Sequence, residues 1–304
     1  MKNFTSTWTF RGNVFAGHPT WIQWYEYTGS FGGSLWVWTS NIVVFWTLSK
    51  GIKPSIYGAA RQFLPALLII FIPIAVSLAL YATYTEEKNP VDVVVLQPNI
   101  DPYKEKYLIT NETVFKHLYD LSKDKIDTLT DFWIAPETVF AKGIRLEQLD
   151  NSVVNRGFQE LSRLHPNLNV LTGISLYEVY NQPVDATSAL NSQTLMDGGT
   201  IWFNDFNSAY FLNKNLSTPL LYNKSKLVVG VETLPYPRLF KLIMGDYMID
   251  LGGTMSVKKT QSTRDVFTSA DGLHSVAPII CYESVYGEYV TGYVQNGADF
   301  LAII

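Results

Sequence analysis

Apolar and polar positions follow two different regimes along this chain, and the change falls near residue 89. From Gln62 to Thr85 no residue is charged, and 63–81 reads FLPALLIIFIPIAVSLALY. At about 1.5 Å per helical residue, such a run crosses a hydrocarbon layer of about 30 Å. The pattern predicts a spanning helix over 63–83, with Pro65 and Pro73 as sites of distortion that a membrane helix tolerates when its neighbours satisfy the freed carbonyls. A second uncharged stretch, 27–49, includes SLWVWTSNIVVFWTLS and predicts another span over 34–49, diluted by Thr39, Ser40 and Asn41. Its Trp36, Trp38 and Trp46, and the aromatic segment WIQWYEYTG at 21–29, suit the headgroup zone. Glu26 lies beside that span.

After residue 90 short apolar runs alternate with amphipathic stretches. Strands are predicted at 92–97, 132–135, 169–173, 209–212, 275–281 and 299–304. Helical spacing over 112–128, with Asn111 as cap, and over 147–164 supplies the intervening layers. Apolar strands separated by helices predict an α/β domain over 90–304, preceded by a membrane region over 1–89. Between the two spans stand Lys50, Lys53 and Arg61 with no acidic residue, which places that loop on the cytoplasmic side and everything after Glu86 outside.

Composition narrows the chemistry. A single cysteine excludes an intramolecular disulfide framework, and its spacing from the four histidines suggests no zinc site. A formal charge of −4, without a Lys/Arg tract, gives no reason to expect nucleic acid as partner. No cofactor motif is read. The mean hydropathy of +0.06 averages over two unlike halves.

Several predicted strands end in reactive side chains. Cys281 closes the run 276–280 and is followed by Tyr282 and Glu283; Glu137 follows Pro136 at the end of 132–135; Lys224 follows the apolar 220–223. Each has a plainer explanation: a lone cysteine is more often a small core residue, a carboxylate at a strand end also serves as a cap, and Lys226 competes with Lys224. Glu232, in the otherwise apolar 227–234, requires a basic partner. Together they offer a thiol nucleophile, a carboxylate to take its proton and a cation for the oxyanion.

The order of Pro136-Glu137-Thr138, then Tyr222, Lys224, Leu227, Val228 and Glu232, then Ile280-Cys281-Tyr282-Glu283 resembles the Glu-Lys-Cys triad of the nitrilase superfamily. The membrane half, Gln97-Pro98-Asn99-Ile100, Phe206-Asn207-Ser208 and the interval from Lys224 to Glu232 resemble its apolipoprotein N-acyltransferase branch. The resemblance implies a nitrilase-like α-β-β-α sandwich on the periplasmic side of a multi-pass protein of the bacterial inner membrane. It implies Cys281 as nucleophile, Glu137 as general base and Lys224 as oxyanion stabiliser, aided by a backbone N–H near Tyr282. Glu232 then orients Lys224 or the base, and Tyr282, Glu283 and Asn207 support the site or bind substrate. An acyl chain from a phospholipid such as phosphatidylethanolamine would pass through a thioester to the N-terminal amine of a diacylglyceryl-cysteine on a lipoprotein. The enzyme would work as a monomer without metal or cofactor.

The segment 237–253, PRLFKLIMGDYMIDLGG, reads equally as a core helix or as an arm that dips into the interface and guides acyl chains. The family pattern has proline after Leu-Val where this chain has Val229, then Gly230 and Val231. The family's usual eight spans against two here, and an end inside an apolar strand at Ile304, are expected of a fragment lacking both ends. Alternative functions are a membrane-tethered amidase or hydrolase with the same triad, and an inactive membrane protein.

Overall fold

The computed structural model describes residues 11–52, 55–85, 88–102, 104–228, 232 and 257–304. The chain divides into two compact units, Met1–Asn89 and Pro90–Ile304. The segment 237–253 and the departure at Val229 to Val231 lie outside the described residues.

The first unit contains helices α1 (Tyr25–Ser49) and α2 (Ile56–Thr83). Ser55 caps α2 by accepting from the Gly58 amide at 3.0 Å. Among the described helices, α2 alone is both long and apolar enough to cross a membrane. α1 has the length, but Gly29 (φ 63°) breaks its helical geometry and Thr39, Ser40 and Asn41 dilute it, so the expected second span does not meet that standard. The helix α2 runs through both Pro65 and Pro73. Pro73 has no N–H for the carbonyl of Ile69 four residues earlier, and the indole Nε1 of Trp36 donates to that oxygen instead at 2.7 Å. Gln62 likewise donates to the carbonyls of Thr47 and Gly51 at the other end of α1.

The second unit is built on a sheet of seven strands: β1 (Val93–Val95), β2 (Phe132–Ile134), β3 (Phe140–Arg145), β4 (Asn169–Tyr180), β5 (Ser192–Thr194), β6 (Thr200–Leu212) and β7 (Leu220–Asn223). The strands β1, β2 and β4 are parallel neighbours, β6 pairs antiparallel with β4, and β5 and β7 both pair with β6. A sheet of three strands follows: β8 (Phe267–Thr268), β9 (Ser275–Ile279) and β10 (Phe300–Ile303), with β9 and β10 parallel.

Alternation along the strands sorts side chains into two cores. Trp133, Val170, Ile174, Tyr210 and Leu212 pack against Val114, Leu118, Phe158 and Leu161 of helices α3 (Asn111–Ser122) and α4 (Val153–Leu164). Phe132, Ile134, Leu171, Phe211 and Tyr222 face the other way, against Phe267, Val276, Ile279 and Ala302 of the small sheet and Tyr289 and Tyr293 of α5 (Gly287–Gln295). The layers run α-β-β-α, in line with the expected α/β class.

Boundaries differ from expectation for local reasons. Helix α3 stops at Ser122 rather than 128, and its N-cap is Thr110, whose side chain accepts from the Thr113 amide; Asn111 donates to the Lys142 carbonyl instead. Helix α4 starts at Val153 because Ser152 caps it; Leu146–Gln148 is a separate 3₁₀ turn. Strands β4 and β6 extend well beyond 169–173 and 209–212 as a long antiparallel pair, whose polar outer parts carried no strand pattern.

Candidate active site

Glu137 projects from a corner between β2 and β3. Both strands run parallel to β4, pairing Ile134 with Leu171 and Phe140 with Ile174, so Pro136 to Val139 form an interruption beside a continuous strand. The corner rests on Gly173: the Gly173 amide donates to the Pro136 carbonyl at 3.2 Å, and a Cβ there would lie 2.3 Å from the Thr138 nitrogen and 2.6 Å from the Glu137 Cα. Thr138 is held at φ 42°, a left-handed conformation costly for a β-branched residue.

Lys224 follows β7 on the face that carries Tyr222, and is 1% exposed. Its backbone amide donates to the Asn207 carbonyl at 2.8 Å. Its Nζ lies 2.8 Å from Glu137 Oε1, 3.0 Å from Glu232 Oε1 and 2.9 Å from Glu232 Oε2. The side-chain amide of Asn207, on β6, donates to both carboxylates at 2.7 and 2.9 Å. Glu232 also accepts from the Val228 amide at 2.9 Å. The basic partner that Glu232 required is Lys224, and Lys226 does not compete: its Nζ lies over the rings of Tyr286 and Tyr289.

Cys281 follows β9 and opens a 3₁₀ turn, Cys281–Val285, at φ 46°. Its amide donates to the Ile304 carbonyl at 2.8 Å, while its side chain is exposed and its thiol lies within reach of the Glu137 charge. Unlike the core role a lone cysteine usually has, this one faces solvent beside a carboxylate.

Glu283 is fully buried and ties the lysine and cysteine segments together. Its carboxylate accepts from the Ile280 amide (2.9 Å), the Ser225 amide (2.6 Å) and the Tyr222 hydroxyl (2.5 Å). The partners are the residue before Cys281 and the residue after Lys224. Tyr282 is half-buried, its ring edge-on to Tyr286 at 5.3 Å.

The charge states follow from these contacts. Burial alone would raise the Glu137 carboxyl, but Lys224 and the donated hydrogen bonds bring it below the ordinary carboxylate value. Burial would likewise lower Lys224, and the two carboxylates more than reverse that. Burial and the Glu137 charge push the Cys281 thiol up, against the opposing pull of Lys224. At neutral pH the site therefore holds a carboxylate, an ammonium and a protonated thiol, the resting state in which Glu137 can accept the thiol proton. Burial raises Glu283 against the donors that surround it.

Two residues of this site escaped the sequence reading. Gly173 falls in a predicted strand, and a glycine inside an apolar strand is itself a signal of close backbone approach. Lys106 lies in the connection after β1, and its Nζ donates to Thr138 Oγ1 at 2.6 Å and to the Glu137 carbonyl at 3.4 Å. No periodicity marks it, because it lies in a loop whose turn is set by Asp101. Among the described residues no group of His, Cys, Asp and Glu is arranged to hold a metal ion.

Comparison with known proteins adds relatives to this geometry. No family profile matches the chain. An apolipoprotein N-acyltransferase from Chlorobaculum tepidum is 27% identical over the whole chain, which covers 56% of that protein. Another from Thermotoga maritima is 24% identical over 78% of the chain, covering 37% of that protein. The chain thus spans about half or less of the relatives it matches. Among solved structures, an amidase from Nesterenkonia sp. AN1 aligns at TM-score 0.40 with 11% identity, over 70% of this chain and 66% of the other. A glutamine-dependent NAD+ synthetase from Acinetobacter baumannii aligns at 0.37 with 14% identity, over 66% of this chain and 30% of the other. Likeness at that level carries no argument about chemistry. The chain that assembles Glu137, Lys224 and Cys281 at one site is thus similar in sequence to two apolipoprotein N-acyltransferases.

Proposed function

We propose that this chain carries the acyl-transfer centre of an apolipoprotein N-acyltransferase. The observation that supports it most is the meeting of Glu137, Lys224 and Cys281 in a chain similar over its full length to one such enzyme. Glu137 takes the thiol proton as sulfur attacks the ester carbonyl of a phospholipid. The carbonyl electron pair moves to oxygen, where Lys224 and the backbone N–H of Tyr282 stabilise it. Collapse expels the glycerol alkoxide, which receives the proton from Glu137, and leaves a thioester on Cys281. The α-amine of a diacylglyceryl-cysteine then attacks the thioester, its proton passing through Glu137 to the departing sulfur. Two half-reactions at one thiol give ping-pong kinetics. Glu232 and Asn207 fix the charge and direction of Lys224 and Glu137, and Glu283 and Tyr282 support the cysteine turn.

In this reading the apolar exteriors of α1 and α2, including Leu35, Phe45, Leu67, Phe71 and Ile72, face lipid in a multi-pass protein of the bacterial cytoplasmic membrane, with the α/β unit on its outer side. Donor and acceptor are tested together: protein in phosphatidylethanolamine vesicles, given a diacylated lipopeptide, should add one acyl chain to the peptide's amine. Release of free fatty acid alone, with unmodified peptide, would make the protein a hydrolase.

A further inference from the structure

The triad leaves an electrostatic question open. Glu137 and Glu232 carry two negative charges, Lys224 carries one positive charge, and Lys224 is committed: its Nζ lies within 3.0 Å of oxygens from both carboxylates. An ammonium has three donors. When the thiol proton moves to Glu137, the negative charge moves to sulfur and then to the carbonyl oxygen, and Lys224 still faces Glu232.

Lys106 is placed differently. Its Nζ hydrogen-bonds two neutral oxygens, Thr138 Oγ1 and the Glu137 carbonyl, so among the described residues no carboxylate contacts it and one N–H carries no hydrogen bond. It is half-buried and lies close enough to Glu137, Cys281 and Lys224 to feel the charge of each. Burial and the charges of Glu137, Asp205 and Glu232 raise the hydroxyl of the next residue, Tyr107. The connection after β1 therefore brings one cation, Lys106, against the Glu137–Thr138 corner. Its anchor is also strained: Thr138, at φ 42°, is the residue after the base.

We propose that Lys106 is a second lysine of the active site, which pins the Glu137–Thr138 corner and supplies the uncommitted positive charge that stabilises the Cys281 thiolate and the oxyanion following it. Burial lowers the Lys106 ammonium while Glu137 and Cys281 support it, so it stays a responsive partner of both. The charges facing Cys281 are then Glu137 and Glu232 on one side and Lys224 and Lys106 on the other, a set that sums to zero with the thiol protonated.

The role of Lys106 in the oxyanion rests on the acyl-transfer reading; its effect on the thiol does not, so the test reads the thiol. Cys281 is the chain's one cysteine, so iodoacetamide reports on it alone as the thiolate displaces iodide. With the full chain in detergent micelles, intact mass would follow alkylation across pH. Lys106→Gln keeps a donor for Thr138 but removes the charge. It should raise the midpoint by about one pH unit and slow alkylation at pH 7 about tenfold, and Lys106→Arg should restore both. Profiles for K106Q that superimpose on wild type, or equal slowing by K106Q and K106R, would overturn the proposal. If K106Q does not keep the native thermal midpoint, Thr138→Val, which frees Lys106 from its anchor, decides: an upward shift supports the proposal and an unchanged midpoint overturns it. If the variants give these shifts but the wild-type protein forms no thioester with phospholipid vesicles, the function is defeated and Lys106 stays in place.

Discussion

The two units of this chain bury polar groups in opposite ways. Between α1 and α2 the solutions are single and neutral: an indole N–H on the carbonyl that Pro73 leaves free, and a glutamine amide on two helix-end carbonyls. In the α/β unit the buried groups are charged and shared, with Lys224 between two carboxylates and Glu283 accepting from two segments. Losing a neutral contact strands one dipole, whereas losing a charged partner strands an ion. The first unit should thus tolerate substitutions that the second cannot, and chemistry should reside where the cost of error is highest.

The largest expected effect is at the triad. Cys281→Ala should abolish acyl-adduct formation, and Lys224→Met should lower acyl transfer by a factor of about 10³ or more. The same Lys224→Met leaves Glu137 and Glu232 facing each other, at a cost of about 3–5 kcal/mol. Calorimetry beside the activity assay separates the two losses. An unchanged thermal midpoint would mean that the buried pair is not the stabilising contact its geometry indicates.

Next comes the corner. A Cβ at Gly173 would overlap backbone, not a flexible side chain, so Gly173→Ala must push Glu137 away from Lys224 and Cys281. Activity should fall about 10²-fold, the scale of a misplaced catalytic group, with alkylation of Cys281 shifted as well. Activity within a factor of two of wild type would show that the corner is not held by this contact.

The pair also makes a pH signature. Glu137 is lowered on folding, so its contribution is present above the unfolded carboxylate pKa of about 4.3 and disappears as pH falls through the lower folded value. Lys224 is raised, so its contribution is complete below about pH 10.4 and is lost as pH rises through the higher folded value. The stability difference between wild type and Glu137→Gln should be flat between those limits and shrink outside them, below the lower and above the upper. A difference that varied with pH near 7 would assign the effect to another group.

How much of this was legible depends on what each residue does. Glu137, Lys224 and Cys281 could be read because each ends an apolar run and their types complement one another; Glu232 could be read because an acid among apolar residues needs a partner. Gly173 and Lys106 act through backbone approach and loop placement, which leave no period in the sequence. The outer halves of β4 and β6 were missed for a related reason: their register with each other makes them strands, and their polar residues do not. In the first unit, α2 was legible from composition, but the indole that repairs it was read only as an interfacial tryptophan.

That repair gives the smallest and most specific prediction. Trp36→Phe keeps an aromatic ring but strands the Ile69 carbonyl, and should destabilise the helical pair by about 1 kcal/mol. Pro73→Ala returns an amide to that carbonyl, so Trp36→Phe in the Pro73→Ala background should cost much less. The difference is a double-mutant coupling, read from the thermal midpoint in micelles. Additive effects would mean that the indole bond and the missing proline amide are independent. Activity should stay within a factor of about two in all three variants, since a neutral contact between the helices strands no ion in the site.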